Sequence, residues 1–319
     1  MLRKLKITVF LFLISNVFLW ATHIVGGEFE LIHIEGFRYK LKLIQYFDVV
    51  FGNPGAEDQA IVVSIFRNSD NNLMSTVILT LTERVLVEYT TPSCAIGQLV
   101  TRKLVYENEI LLEPSTVING VSQNDGYDDP EGYHVVMERC CRNNVISNAF
   151  QPFPNSVGQT WTLDFPPVIK DGQRFINSSP VLFPPLSDYA CVDQLYFFDF
   201  AGTDLDGDSI TYTLVTPYNS SAIIALPTAQ PKPHNDIIWN SGIDIDNVIP
   251  GNPSLNTTID GFLTVNPSRP GLFVFALLAE EFRDGEKIGE VRRDFQMLVI
   301  NCPGPNFPPI ISAKKKDTG

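Results

Sequence analysis

The sequence predicts an all-β protein made of two antiparallel β-sandwich-type domains. Three observations carry that expectation. Apolar and polar residues alternate with period two, Pro and Gly punctuate the chain at short intervals, and no sustained amphipathic helical pattern is present. The chain has 23 Pro and 21 Gly between short apolar runs. Its 44 % hydrophobic content, with 22 Phe and 10 Tyr, fits packed cores joined by turns rather than disorder.

Residues 1–21 read as an export signal. Arg3, Lys4 and Lys6 precede an apolar run from Ile7 to Trp20 that ends at Ala21, and the run is short for a membrane span. Cleavage after Ala21 is the working choice. Retention as a signal anchor is the alternative, because Leu19-Trp20-Ala21 is an imperfect cleavage site. Cleavage removes three basic and no acidic residues and takes the formal net charge from −13 to −16. Such a balance argues against nucleic acid and anionic membranes as partners, and for either a solubilising surface or carboxylates collected for divalent cations.

An amino-terminal β domain is expected over 22–185. Its strands are Glu28 to Ile34, Phe37 to Phe47, Ala60 to Phe66, Leu73 to Leu81, Arg84 to Tyr89, Leu99 to Tyr106, Gly132 to Arg139 and Thr160 to Phe165. In the second of these, Phe37, Tyr39, Leu41 and Leu43 share one face while Arg38, Lys40 and Lys42 take the other. Prolines thicken from Phe150 to Pro185, and Pro cannot donate to a central ladder, so a boundary is placed near 185.

The second domain, 186–303, carries strands at Gln194 to Ala201, Ser209 to Val215, Asp236 to Trp239, Gly261 to Val265, Leu272 to Phe282 and Val291 to Ile300. A two-residue Asp284-Gly285 hairpin would set Leu278, Val274 and Leu272 against Val291, Phe295 and Met297, with Glu280 on the same face. Residues 304–319, rich in Pro and then Lys, read as a linker or tail.

Catalytic signatures are sparse. Ile24-Val25-Gly26-Gly27 resembles the start of an activated trypsin-like protease, yet signal cleavage would leave Thr22 and His23 ahead of it. None of His23, His33, His134 or His234 sits in a protease context. There is no H-E-x-x-H, G-x-S-x-G or phosphate-cradling glycine loop, and the expectation is a non-enzymatic protein.

Five cysteines in an exported chain suggest disulfides. Cys140 and Cys141 close a strand and, if it stays extended, point to opposite faces and need different partners. Cys94 can serve either one. Cys191 and Cys302 bracket the second domain and are expected to join each other.

The strongest chemical motif is Thr203 to Leu214, in which Asp204, Asp206 and Asp208 alternate around Gly207 just before a strand. Hard cations need several oxygen ligands at close range, so calcium is the implied cofactor, with Glu280 or Glu281 as a further carboxylate; an acidic turn capping its own amides is the alternative. An EF-hand is excluded, because its sixth position would be Ser209 and its twelfth Val215.

Ala201 to Tyr212, Gly261 to Thr264, Pro270 to Phe273 and the closing hairpin together resemble the cadherin-like, immunoglobulin-like modules of bacterial surface proteins. More broadly, Thr22 to Glu28, Arg139 to Asn143, Asn177 to Pro180, Asp204 to Asp208, Glu280 to Gly285 and Arg292 to Gln296 are similar, in order, to segments of Bacteroidota gliding-motility-associated surface proteins. Where that family has Y-R-D-C, this chain reads Tyr46-Phe47-Asp48-Val49, which accounts for the odd cysteine count. The resemblance implies a secreted or cell-surface, adhesin-like or structural protein, with a surface glycan or protein as partner. A carbohydrate-binding or enzyme-accessory module is the alternative.

Overall fold

The computed structural model describes residues 23–89, 99–119, 121–122, 125–151, 157–185 and 188–302. The first strands are β1 (Ile24–Glu35), β2 (Arg38–Asp48), β3 (Ala60–Arg67), β4 (Leu73–Leu86) and β5 (Thr101–Leu111). Short β6 (Val117–Ile118) and β7 (Val121–Ser122) precede β8 (Tyr133–Arg139) and β9 (Gln159–Phe165), followed by two-residue strands β10 (Ile169–Lys170), β11 (Gln173–Arg174) and β12 (Val181–Leu182). Next come β13 (Ala190–Cys191), β14 (Tyr196–Asp199), β15 (Gly202–Thr203) and β16 (Ser209–Val215). The last are β17 (Asn256–Thr257), β18 (Phe262–Val265), β19 (Gly271–Arg283) and β20 (Glu286–Ile300). No helix among the described residues is long and apolar enough to cross a membrane.

The chain is all-β, and its main sheet closes on itself. The order β1-β2-β5-β4-β3-β8-β9-β20 returns from β20 to β1, giving an eight-stranded barrel, while β19 and β16 extend the same sheet from β20. Period-two patterning explains the interior: Phe29, Leu31, Leu41, Leu43, Ile61, Val63, Ile65, Val135 and Leu163 are all buried. Against this sheet lies a three-stranded sheet, β14-β18-β17. Phe200, just after β14, packs its ring 5.7 Å from Phe275 and 5.5 Å from Phe295.

The boundary expected near 185 therefore does not separate the sheets. β20 belongs to the second sequence segment yet pairs with both β1 and β9 of the first. Period-two alternation marks a strand but does not name its partner, and the proline-rich stretch connects parts of one structure. The expected break between Leu81 and Arg84 is likewise a register shift inside one continuous β4, between Leu81 and Glu83. The expected Asp236 to Trp239 strand is reduced to isolated bridges, Tyr218 with Asp236 and Ala149 with Trp239.

The closing hairpin has its two-residue Asp284-Gly285 turn, with Arg283 opposite Glu286 and Phe282 opposite Lys287. A bulge between Glu281 and Phe282 then adds one residue, so Leu278, Val274 and Leu272 face Arg292, Gln296 and Leu298 instead of the expected Val291, Phe295 and Met297. On the other row, Ala279, Phe275 and Phe273 face Val291, Phe295 and Met297, all buried. Glu281 continues that core-facing row, whereas Glu280 does not.

Buried charge pairs lock β20 in place. Arg293 donates to the Glu28 carboxylate at 2.9 Å, which also accepts the Tyr46 hydroxyl at 2.8 Å, and its guanidinium lies 4.5 Å from the Phe200 ring centre. Arg142 pairs with Asp294 through two nitrogens and donates to the Gly158 and Tyr218 carbonyls. All four charged side chains are essentially sealed from solvent, so removing one partner leaves an uncompensated charge.

β1 meets β20 at glycine, with Gly26 opposite Phe295 and Gly27 opposite Asp294. A Cβ on Gly27 would fall 2.6 Å from the Ile44 carbonyl oxygen and 2.8 Å from Trp161 Nε1, and one on Gly26 would collide with the Asp294 carbonyl. Gly26→Ala and Gly27→Ala are each expected to lower stability by about 1–3 kcal/mol and to speed amide exchange along the β1–β20 seam. Unchanged urea midpoints with intact seam protection would show that this close approach is dispensable.

Candidate metal centre

The loop joining β15 to β16 is shaped by its own carboxylates. Asp204 Oδ1 accepts the Asp206 and Asp208 amides at 2.8 and 2.9 Å, and Gly207 takes φ +88 at the apex. These bonds explain the local turn and leave Asp204 Oδ2 buried without a hydrogen-bond partner. One carboxylate oxygen from each of Asp204, Asp206 and Asp208 lies within 4.8 Å of the others. Ligands spaced around a single calcium ion at 2.3–2.6 Å span a similar distance.

The fourth carboxylate is Glu281 rather than Glu280. Glu280 is engaged at the sheet end by Lys287, at 2.5 Å. Glu281, on the core-facing row, is 1 % exposed. Its Oε2 accepts the Asn177 amide at 3.1 Å and its Oε1 has no hydrogen-bond partner. Burial pushes the Glu281 carboxyl up to about 9; Asp204 and Asp208 reinforce the shift, and the Asn177 bond opposes it. The one-residue bulge and the alternation of β19 decide which glutamate reaches the aspartates.

Among the described residues, Arg283 is the cation paired with this group of carboxylates, through Asp208. Its Nε donates to Asp208 Oδ1 at 2.8 Å, and Nη2 donates to Asp208 Oδ2 at 2.5 Å and to Asn177 Oδ1 at 2.7 Å. Ser178 donates its backbone amide to Asp206 Oδ2 at 2.5 Å. Sequence reasoning missed Asn177, Ser178 and Arg283 as site residues, although Asn-Ser-Ser-Pro and the closing Glu-Glu-Phe-Arg were already visible as segments. The donor set is all oxygen, and two of its oxygens lack partners, which suits a hard divalent cation.

One cysteine pairing is as expected and the other is not. Cys191 and Cys302 form a disulfide with their Cα atoms 5.5 Å apart, tying β13 to the end of β20. Cys140 and Cys141 are joined to each other across a cis peptide, and the opposite-face rule for an extended strand does not apply to that bond. Cys94 lies outside the described residues.

Glu281 gives a signed pH prediction. Its folded pKa lies above the unfolded value near 4.5, so between the two the folded state holds the extra proton and stability falls as pH rises. In chelator, the stability difference between wild type and Glu281→Gln should therefore shift against wild type across this window, by up to about 1.4 kcal/mol per pH unit. Parallel stability curves for the two proteins would contradict it.

Comparison of the chain with protein-family models, with curated proteins and with solved structures finds no match in any of the three.

Proposed function

We propose that this is an exported, non-enzymatic surface protein of adhesin-like or structural type, stiffened by calcium where the cadherin-like segment, Ala201 to Tyr212, meets β19. The observation that carries the reading is the set of four carboxylates, Asp204, Asp206, Asp208 and Glu281, offset by one arginine, with Glu281 Oε1 and Asp204 Oδ2 buried and unpartnered. A bound cation would tie the 204–208 loop to β19 and, through Asn177 and Ser178, to the segment following β11. Stiffening of that kind suits a module that presents loops and sheet edges to a partner. The Cys191–Cys302 bridge supports the same role: it closes a loop of 111 residues, worth on the order of 4 to 5 kcal/mol in the chain-entropy model.

Calcium should raise the melting temperature relative to chelator. At a hundredfold excess over the dissociation constant the gain is about 2.7 kcal/mol. Asp204→Asn combined with Asp206→Asn should abolish the increment while leaving the chelator melt near wild type. An identical melt with millimolar calcium and with chelator would remove the cation from the reading.

A further inference from the structure

A cleft of about 660 Å³ lies apart from the aspartate loop, between the β8–β9 end of the barrel, the β10–β11 turn and the start of β20. Its volume falls in the range of ligand sites. Its apolar lining is formed by Phe165, Pro166, Pro167, Ile169 and Ile288. Around it stand five carboxylates, Asp128, Glu131, Asp164, Asp171 and Glu286, against two lysines, Lys170 and Lys287.

Those lysines are already committed. Lys170 pairs with Glu286 at 2.7 Å, and Lys287 with Glu280 and Glu290 at 2.5 and 2.6 Å. Among the described residues, Asp128, Glu131 and Asp171 have no basic partner. Asp164 is the deepest of the set. Lys232 places its ammonium on Asp164 Oδ2, while Oδ1 is sealed from solvent with no hydrogen-bond partner. The protein thus already seats one of its own lysines on the carboxylate that lines this cleft and leaves the other oxygen unused.

The cleft acids do not converge on one point. Among the described residues, the group that brings three carboxylate oxygens within 4.8 Å of one another is Asp204, Asp206 and Asp208, and the cleft acids do not form such a group. Dispersed carboxylates beside apolar lining residues suit several cationic groups carried on hydrocarbon stems, which pack along apolar surface while their charged ends reach the acids.

We propose that this cleft binds an extended basic peptide segment of a partner protein, its Lys or Arg stems lying against Phe165, Ile169 and Ile288 and its charges meeting Asp128, Glu131 and Asp171, the cleft acids without a basic partner among the described residues. This inference is independent of the calcium site. Pentalysine, pentaglutamate and spermidine are the probes, titrated calorimetrically into the full chain at low and high salt. Pentalysine should bind and weaken as salt rises, and pentaglutamate should not bind. Glu131 and Asp171 are exposed, so Glu131→Gln and Asp171→Asn leave the fold intact; each should weaken pentalysine about fivefold and the pair about 25-fold. Ile169→Ser should weaken binding without changing its salt dependence. Pentalysine binding unaffected by the acid substitutions, binding of spermidine in place of the peptide, or no binding at all would overturn the proposal.

Discussion

The seam between the first and last strands is the constraint on which the rest of this structure depends. β20 can close the barrel only where β1 brings bare backbone to it, at Gly26 and Gly27. Once that approach is made, Arg293 reaches Glu28 and Asp294 reaches Arg142, so the charges of one short segment are neutralised by residues far away in the chain. A slip of one residue would turn these side chains to the wrong faces and strand them without partners. The pairs thus act as a register lock more than as a source of net stability.

The segments that carry the resemblance to surface proteins meet in three dimensions. Glu28 from the first lies on Arg293 from the last, and Arg142 grips Asp294. Ser179 takes the Leu31 amide at 2.9 Å, Ser178 caps Asp206 and Asn177 bonds Glu281. Each motif supplies polar partners to another, and at the sealed pairs, Glu28 with Arg293 and Arg142 with Asp294, an unpaired group would be expensive.

Two groups of carboxylates emerge with different chemistry because their spacing differs. Around Asp204 the acids converge, two oxygens lack partners, and one arginine is present; convergence of that kind suits a compact divalent charge. Around the β9–β20 cleft the acids are dispersed among apolar lining residues, which suits charges held apart on a longer ligand. The overall acidic balance is a sum over both groups and distinguishes neither.

Much of the local structure was legible in the sequence alone. Period-two alternation placed β2, β3, β8, β9 and β16 within a residue or two, the Asp284-Gly285 turn was read correctly, and Asp204, Asp206 and Asp208 stood out as a set. These are properties of short windows, governed by side-chain alternation and turn conformation. Tertiary structure decided the rest. It drew β20, from beyond the proline-rich stretch, into an eight-stranded barrel with β1 and β9, it joined Cys140 to Cys141, and through a single bulge and the core-facing row of β19 it brought Glu281 rather than Glu280 to the core side. Those outcomes depend on which strands pair and in what register, a matter of contacts between residues hundreds of positions apart, and no local pattern encodes the partner.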